Sequence, residues 1–278
     1  MSKLLCLLIS GLLLSVVLLS GNAYAAGNTN VSILFLNTKD MSKTSIGEPV
    51  QYLPEVFLSP AGYTNVKTVI TIADFRAEWA KRDQYNVLII AYHNFLNDAD
   101  LVQWFTEESA NLKAWVSGGG ILITTAGRDE QEIDLAKLFE LSPNRSASGT
   151  AEAIVMVAPA FADGIADGKM DSSTSTDATP YNGEFYDEPL PVWARIVTLS
   201  SAGKVSSVAG QYQKGGLWLG AGFENTNLGA GLDAAQSFFP GVVQLWKNVM
   251  DYLTSIGASP VNPAGKSAFT WGEIKTSL

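Results

Sequence analysis

Thiol chemistry has almost no footing in this chain. Its 278 residues include one cysteine, Cys6, and one histidine, His93. A lone cysteine forms no disulfide within the chain, and a lone histidine leaves a Ser-His or Zn(His) arrangement little to build on. Basic residues are also few: 18 Lys and Arg stand against 27 Asp and Glu, a net charge of −9. With no stripe of cations to release counterions from phosphates, nucleic acid and anionic membrane surfaces are excluded as partners. Internal repeats and charge blocks are missing too, and one domain with a tail is the simplest organisation.

What the chain does have is apolar material, 47% of its residues, enough for one large core. Lys3 precedes the run "LLCLLISGLLLSVVLLSG", which leads to Ala23-Tyr24-Ala25. Those are the three zones of a secretory signal peptide, so residues 1–25 are expected to be removed. An uncleaved membrane anchor is the competing reading, because the run approaches bilayer-spanning length; Gly11 and Gly21 weaken such a helix. Cys6 sits inside the apolar run, without the small-residue context of a lipidation site. Cleavage takes away Lys3 and Cys6, leaving 17 cations against 27 acids and a charge of −10. The mature chain is then expected to be secreted or periplasmic, free of cysteine, without stable membrane insertion, and stabilised by packing alone.

Beyond the leader, "VSILFLN" (31–37), "VKTVITI" (66–72) and "YNVLIIAYH" (85–93) read as buried strands. "GEPVQYLPEVFL" and "DFRAEWAKRD" between them have helical period. Next comes "LNDADLVQWFTEESANLKAWVSGGG", a helix with an apolar stripe of Leu101, Trp104, Phe105, Leu112 and Trp115, capped by Asn97 or Asp98 and ended by Gly118 to Gly120. "ILITT" is a fourth strand, and "DEQEIDLAKLFEL" another helix. Strands alternating with helices imply an α/β domain with a mostly parallel sheet and helices on both faces. "AEAIVMVAP" restores a strand, whereas 162–181 reads as a long surface loop. "ARIVTLS", "KVSSVAGQY" and "GGLWLGAGF", with turns at Ala202-Gly203 and Lys214-Gly215-Gly216, suggest an antiparallel meander extending the sheet. "FFPGVVQLWKNVMDYLTSIG" is a last helix with Val243, Trp246, Val249, Met250 and Leu253 on one face. The domain is placed at 26–257 and the Pro- and Gly-bearing tail, with Trp271, at 258–278.

The order "YNVLIIAYHNF", helix, "LKAWVSGGGILITT", then "VAGQYQKGGLWLGAGFE" and "LWKNVMDYL" resembles the glutamine-amidotransferase-like superfamily of flavodoxin-like folds. Its trehalose-utilisation (ThuA-like) branch and related secreted domains are nearest in pattern. The resemblance covers roughly 31–256. It implies a flavodoxin-like sheet, and in catalytic members a cysteine at the turn after the strand matching "ILITT", in a G-x-C-x-G context, with a later histidine. Here that turn is Thr124-Thr125-Ala126-Gly127-Arg128, and Ala126 stands about where the thiol belongs. Thiol chemistry of the amidotransferase kind is thereby excluded.

The remaining candidates follow from strand ends. His93 closes the third strand at the edge where such sheets bind ligands, as a general base, a ligand contact or a hydrogen-bonded rim residue. Asn94, Asn97, Asp98, Ala126, Gly127, Arg128, Asp129 and Glu130 are expected at the same edge, with Glu224 and Asn225 after a later strand. The expected function is an exported, non-catalytic domain that binds a small polar ligand, such as a carbohydrate, or a protein partner. The alternative is a hydrolase or sugar-metabolising enzyme using His93 with Asp98 or Asp129 as acid and base. Thr124 and Thr125 read as strand formers, not nucleophiles. Asp129, Glu130, Glu132 and Asp134 sit at a helix start, where acids suit the dipole. Asp163, Asp167 and Asp171 lack calcium-loop spacing. No metal and no cofactor are expected. Tyr181, Phe185, Tyr186 and Trp193 stand beside acids and amides, as sugar-binding aromatics do, though anchoring their own loop is the stronger reading.

Overall fold

The computed structural model describes residues 30–36, 58–90, 99–124, 135–144, 154–171, 185–200, 203–220 and 240–256. The apolar runs form β1 (Ile33–Leu36), β3 (Val87–Ile90) and β4 (Ile121–Thr124), each buried at every position. An unbroken apolar run suits a parallel strand covered above and below. β1 pairs in parallel with β2 (Val66–Val69) and with β3, and β3 with β4. β2 departs from the buried pattern expected of "VKTVITI": it ends the strand order, and Lys67, Thr68 and Ile70 are exposed. That run also stops early, because Thr71 becomes an N-cap. Its hydroxyl accepts from the Asp74 backbone N–H at 3.1 Å, and Ile72 opens α1 (Ile72–Trp79).

Side chains alternate across the strands and so divide the core into two layers. Ile33, Phe35, Val87, Ile89, Ile121 and Ile123 pack with Val243, Trp246, Val249, Met250 and Leu253 of α4 (Pro240–Ile256), the helix closing the described chain. Leu34, Leu36, Leu88, Ile90 and Leu122 pack on the other face with Phe75 and Trp79 of α1 and with the apolar stripe of α2 (Ala99–Gly118). Both stripes are those expected from the periodicity. Trp104 meets Phe75 and Trp79 edge to face, with centroids 4.7 and 5.5 Å apart, and Trp115 meets Trp79 at 5.7 Å. Such pairs add about 0.5–1.5 kcal/mol each to the area they bury.

α2 ends where the glycines begin, and Gly119 turns the chain at φ 130°. Gly215 answers a different need. A Cβ there would lie 2.0 Å from the Val116 carbonyl oxygen and 2.2 Å from that of Gly120. The end of α2, the start of β4 and the strand that opens at Gly215 therefore meet backbone to backbone.

Beyond α3 (Leu135–Leu138), the chain adds β5 (Pro143–Asn144), β6 (Ile154–Val157), β7 (Lys169–Asp171), β8 (Phe185–Tyr186), β9 (Arg195–Ser200), β10 (Val205–Tyr212) and β11 (Gly215–Gly220). The main path runs β2-β1-β3-β4-β11-β10-β9-β6-β7, and β8 pairs with β10 and β5. β11 lies parallel to β4 and antiparallel to β10. It fills the fifth position of the flavodoxin-like order 2-1-3-4-5. The fold is thus α/β, a parallel core with helices on both faces, extended by antiparallel strands.

Three further expectations need correction. The β10–β11 turn is Gln213-Lys214, with Gln213 at φ 53°, and Gly215 and Gly216 are already in the strand. The stretch 162–181 is not simply a loop: β7 pairs with β6, Ile165 is buried, and the Asn248 amide donates to the Phe161 and Asp163 carbonyls at 2.8 and 2.7 Å. The helix expected over "DEQEIDLAKLFEL" ends at Leu138, and Glu140 turns the chain at φ 70°. Residues 129–134 and 172–181, and all of the helix expected at 47–58 except Leu58, lie outside the described residues.

Candidate functional site at the carboxyl edge of the sheet

Strand register defines one edge. Val69, Leu36, Ile90, Thr124 and Leu219 form a continuous row across β2, β1, β3, β4 and β11, all five strands running the same way. The chain leaves β1, β3 and β4 at this row and β11 one residue beyond it. β1 is flanked by β2 on one side and β3 on the other, so the connections diverge between Leu36 and Ile90. That divergence is the switch point at which open α/β sheets leave a crevice.

The expected site residues belong to the stretches that follow these ends. Asn94, Asn97 and Asp98 follow His93 after β3; Ala126, Gly127, Arg128, Asp129 and Glu130 follow β4; Glu224 and Asn225 follow β11. All of them, with Thr125, Glu132 and Asp134, lie outside the described residues, as do Tyr181 and Trp271. Thr124 is described and buried at the end of β4.

One polar group at this edge was not singled out from the sequence. Ser207 pairs with Gly220 on one side and with Thr198 on the other, one step past Leu219. At this point the β9–β10 register shifts, and Ser206 and Ser207 together oppose Thr198. Thr198 Oγ1 lies 2.7 Å from Ser206 Oγ and 2.6 Å from Ser207 Oγ, and all three residues are fully buried. In a regular strand two consecutive side chains face opposite ways; the bulge lets both reach one partner. "VSSVAG" shows only two small β-tolerant residues, and a register shift leaves no mark in the hydrophobic pattern.

The described aromatics agree with the anchoring reading. Phe185 and Tyr186 are buried in β8, and the half-buried Trp193 donates its indole N–H to the Phe139 carbonyl at 3.0 Å. Tyr186 and Trp193 pack into the core layer shared with α1 and α2. Asp163 and Asp167 are exposed, and among the described residues no group of three or more His, Cys, Asp or Glu is placed to hold a metal ion. No helix among them is long and apolar enough to cross a membrane.

Among the described residues, the ionisable groups with shifted titration sit on α1, α2 and the segments beside them. Between α1 and α2, Glu108 accepts from the Trp79 indole N–H at 2.9 Å and from the Asn111 amide at 2.9 Å. These hydrogen bonds hold its carboxyl below the usual carboxylate range. Glu78, which accepts from Tyr85 and Lys81, and Glu107, which accepts from Arg76 and Gln103, are lowered in the same way. Tyr63 is buried, and its hydroxyl donates to Asp251 at 2.6 Å; burial first, and then that carboxylate, push its ionisation well up. These groups join helices and turns to one another.

No family model matches the chain, and no curated protein matches it. Solved structures similar to it include a GMP synthase-like protein from Thermoplasma acidophilum, 8% identical with a TM-score of 0.45, covering 81% of this chain and 98% of that one. A ThuA-like protein from Parabacteroides merdae is 12% identical with a TM-score of 0.43, covering 84% and 92%. An exo-β-1,4-mannosidase from an Opitutaceae bacterium is 12% identical with a TM-score of 0.37, and this chain spans only 34% of its length.

Proposed function

We propose that this protein is an exported, non-thiol member of the glutamine-amidotransferase-like superfamily that binds a small polar ligand, such as a carbohydrate, at the carboxyl edge of its parallel strands. One observation carries the reading: the register row through Leu36, Ile90 and Thr124 puts the ends of β1, β3 and β4 side by side at the switch point. In the sequence His93 comes three residues after Ile90 and Ala126 two after Thr124. Support also comes from the sequence, whose only cysteine is in the leader-like segment, while Ala126 stands where the resemblance calls for a thiol. His93, Asn94 and Arg128 carry hydrogen-bond donors and acceptors suited to a polar ligand, Glu224 and Asn225 add more, and Ala126 and Gly127 are small. Export follows from the charged, apolar and small-residue zones of residues 1–25.

Calorimetric titration of the chain lacking residues 1–25 against a panel of saccharides and polar metabolites tests this. Binding by at least one compound is expected, weakened about tenfold or more by His93→Ala, which corresponds to about 1.4 kcal/mol. No binding across the panel, or binding indifferent to that substitution, overturns the proposal.

A further inference from the structure

No further inference is drawn: the strongest candidate, the hydroxyl cluster of Thr198, Ser206 and Ser207 at the bulge between β9 and β10, is sealed from solvent with each hydroxyl already hydrogen-bonded inside the cluster, and nothing among the described residues opens a path from it to a ligand.

Discussion

Three hydroxyls meet in the interior at the β9–β10 bulge, and Thr198 is the one the other two share. Thr198→Val keeps the shape and leaves Ser206 and Ser207 buried without their partner. Stranding a buried hydroxyl costs about 1–3 kcal/mol, so denaturant unfolding should show a loss of about 2 kcal/mol or more. Thr198→Ser retains the oxygen and should lose about 1 kcal/mol or less; equal losses for the two variants would show that the hydroxyl does not matter. Between α1 and α2 the sign of the pH effect is fixed. The Glu108 carboxyl is held below its ordinary value by the Trp79 indole and Asn111. Its contribution is therefore complete above the ordinary glutamate range and is lost as pH falls through the lowered value. Glu108→Gln keeps an oxygen for both donors and removes the titration. Its urea midpoint should fall less than that of the parent as pH drops below about 5; parallel curves for the two proteins would contradict the assignment.

Helices and strands were legible in the sequence to different degrees. The α2 and α4 stripes follow from period alone, since a 3.6-residue repeat of Leu, Trp and Val leaves one face to bury. β1, β3 and β4 follow from unbroken apolar runs. β2 misled because a β-branched run does not say whether its strand is central or at an edge, and Thr71 prefers to cap the helix that follows. β7 was lost in a polar stretch because three residues carry too short an alternation to read. The joint between α2, β4 and β11 is where a single atom decides. Gly215→Ala drives its Cβ into two backbone carbonyls that no rotamer change relieves. Overpacking of side chains costs about 1–3 kcal/mol, and this backbone clash should reach or exceed the upper end. Loss of the folded protein or a stability drop of about 3 kcal/mol is expected by circular dichroism melting; a parent-like melt would mean that the three elements do not meet this closely.

At the scale of the whole molecule, the β2-β1-β3-β4-β11 order turns scattered sequence positions into one edge. That order was only partly readable. Alternating strands and helices gave the parallel core, and the late turns gave the meander. The return of β11 to the side of β4 depends on long-range packing through Gly215, Gly216 and Trp218, which no local pattern encodes. The candidate residues were read as positions after strand ends, and they lie outside the described residues. Their mutual arrangement has no periodic signature, since loops answer to their anchors and not to an internal repeat. On the proposed reading, Cys6 is the sole cysteine and falls in the leader-like segment, so the mature chain would bring no thiol to this edge to form a covalent intermediate. Recognition without covalent attack is the central claim, and incubating the chain lacking residues 1–25 with glutamine, with ammonia as the readout, tests it most directly. The account predicts ammonia no higher than in a protein-free control; release well above that control, abolished by His93→Ala, would contradict it.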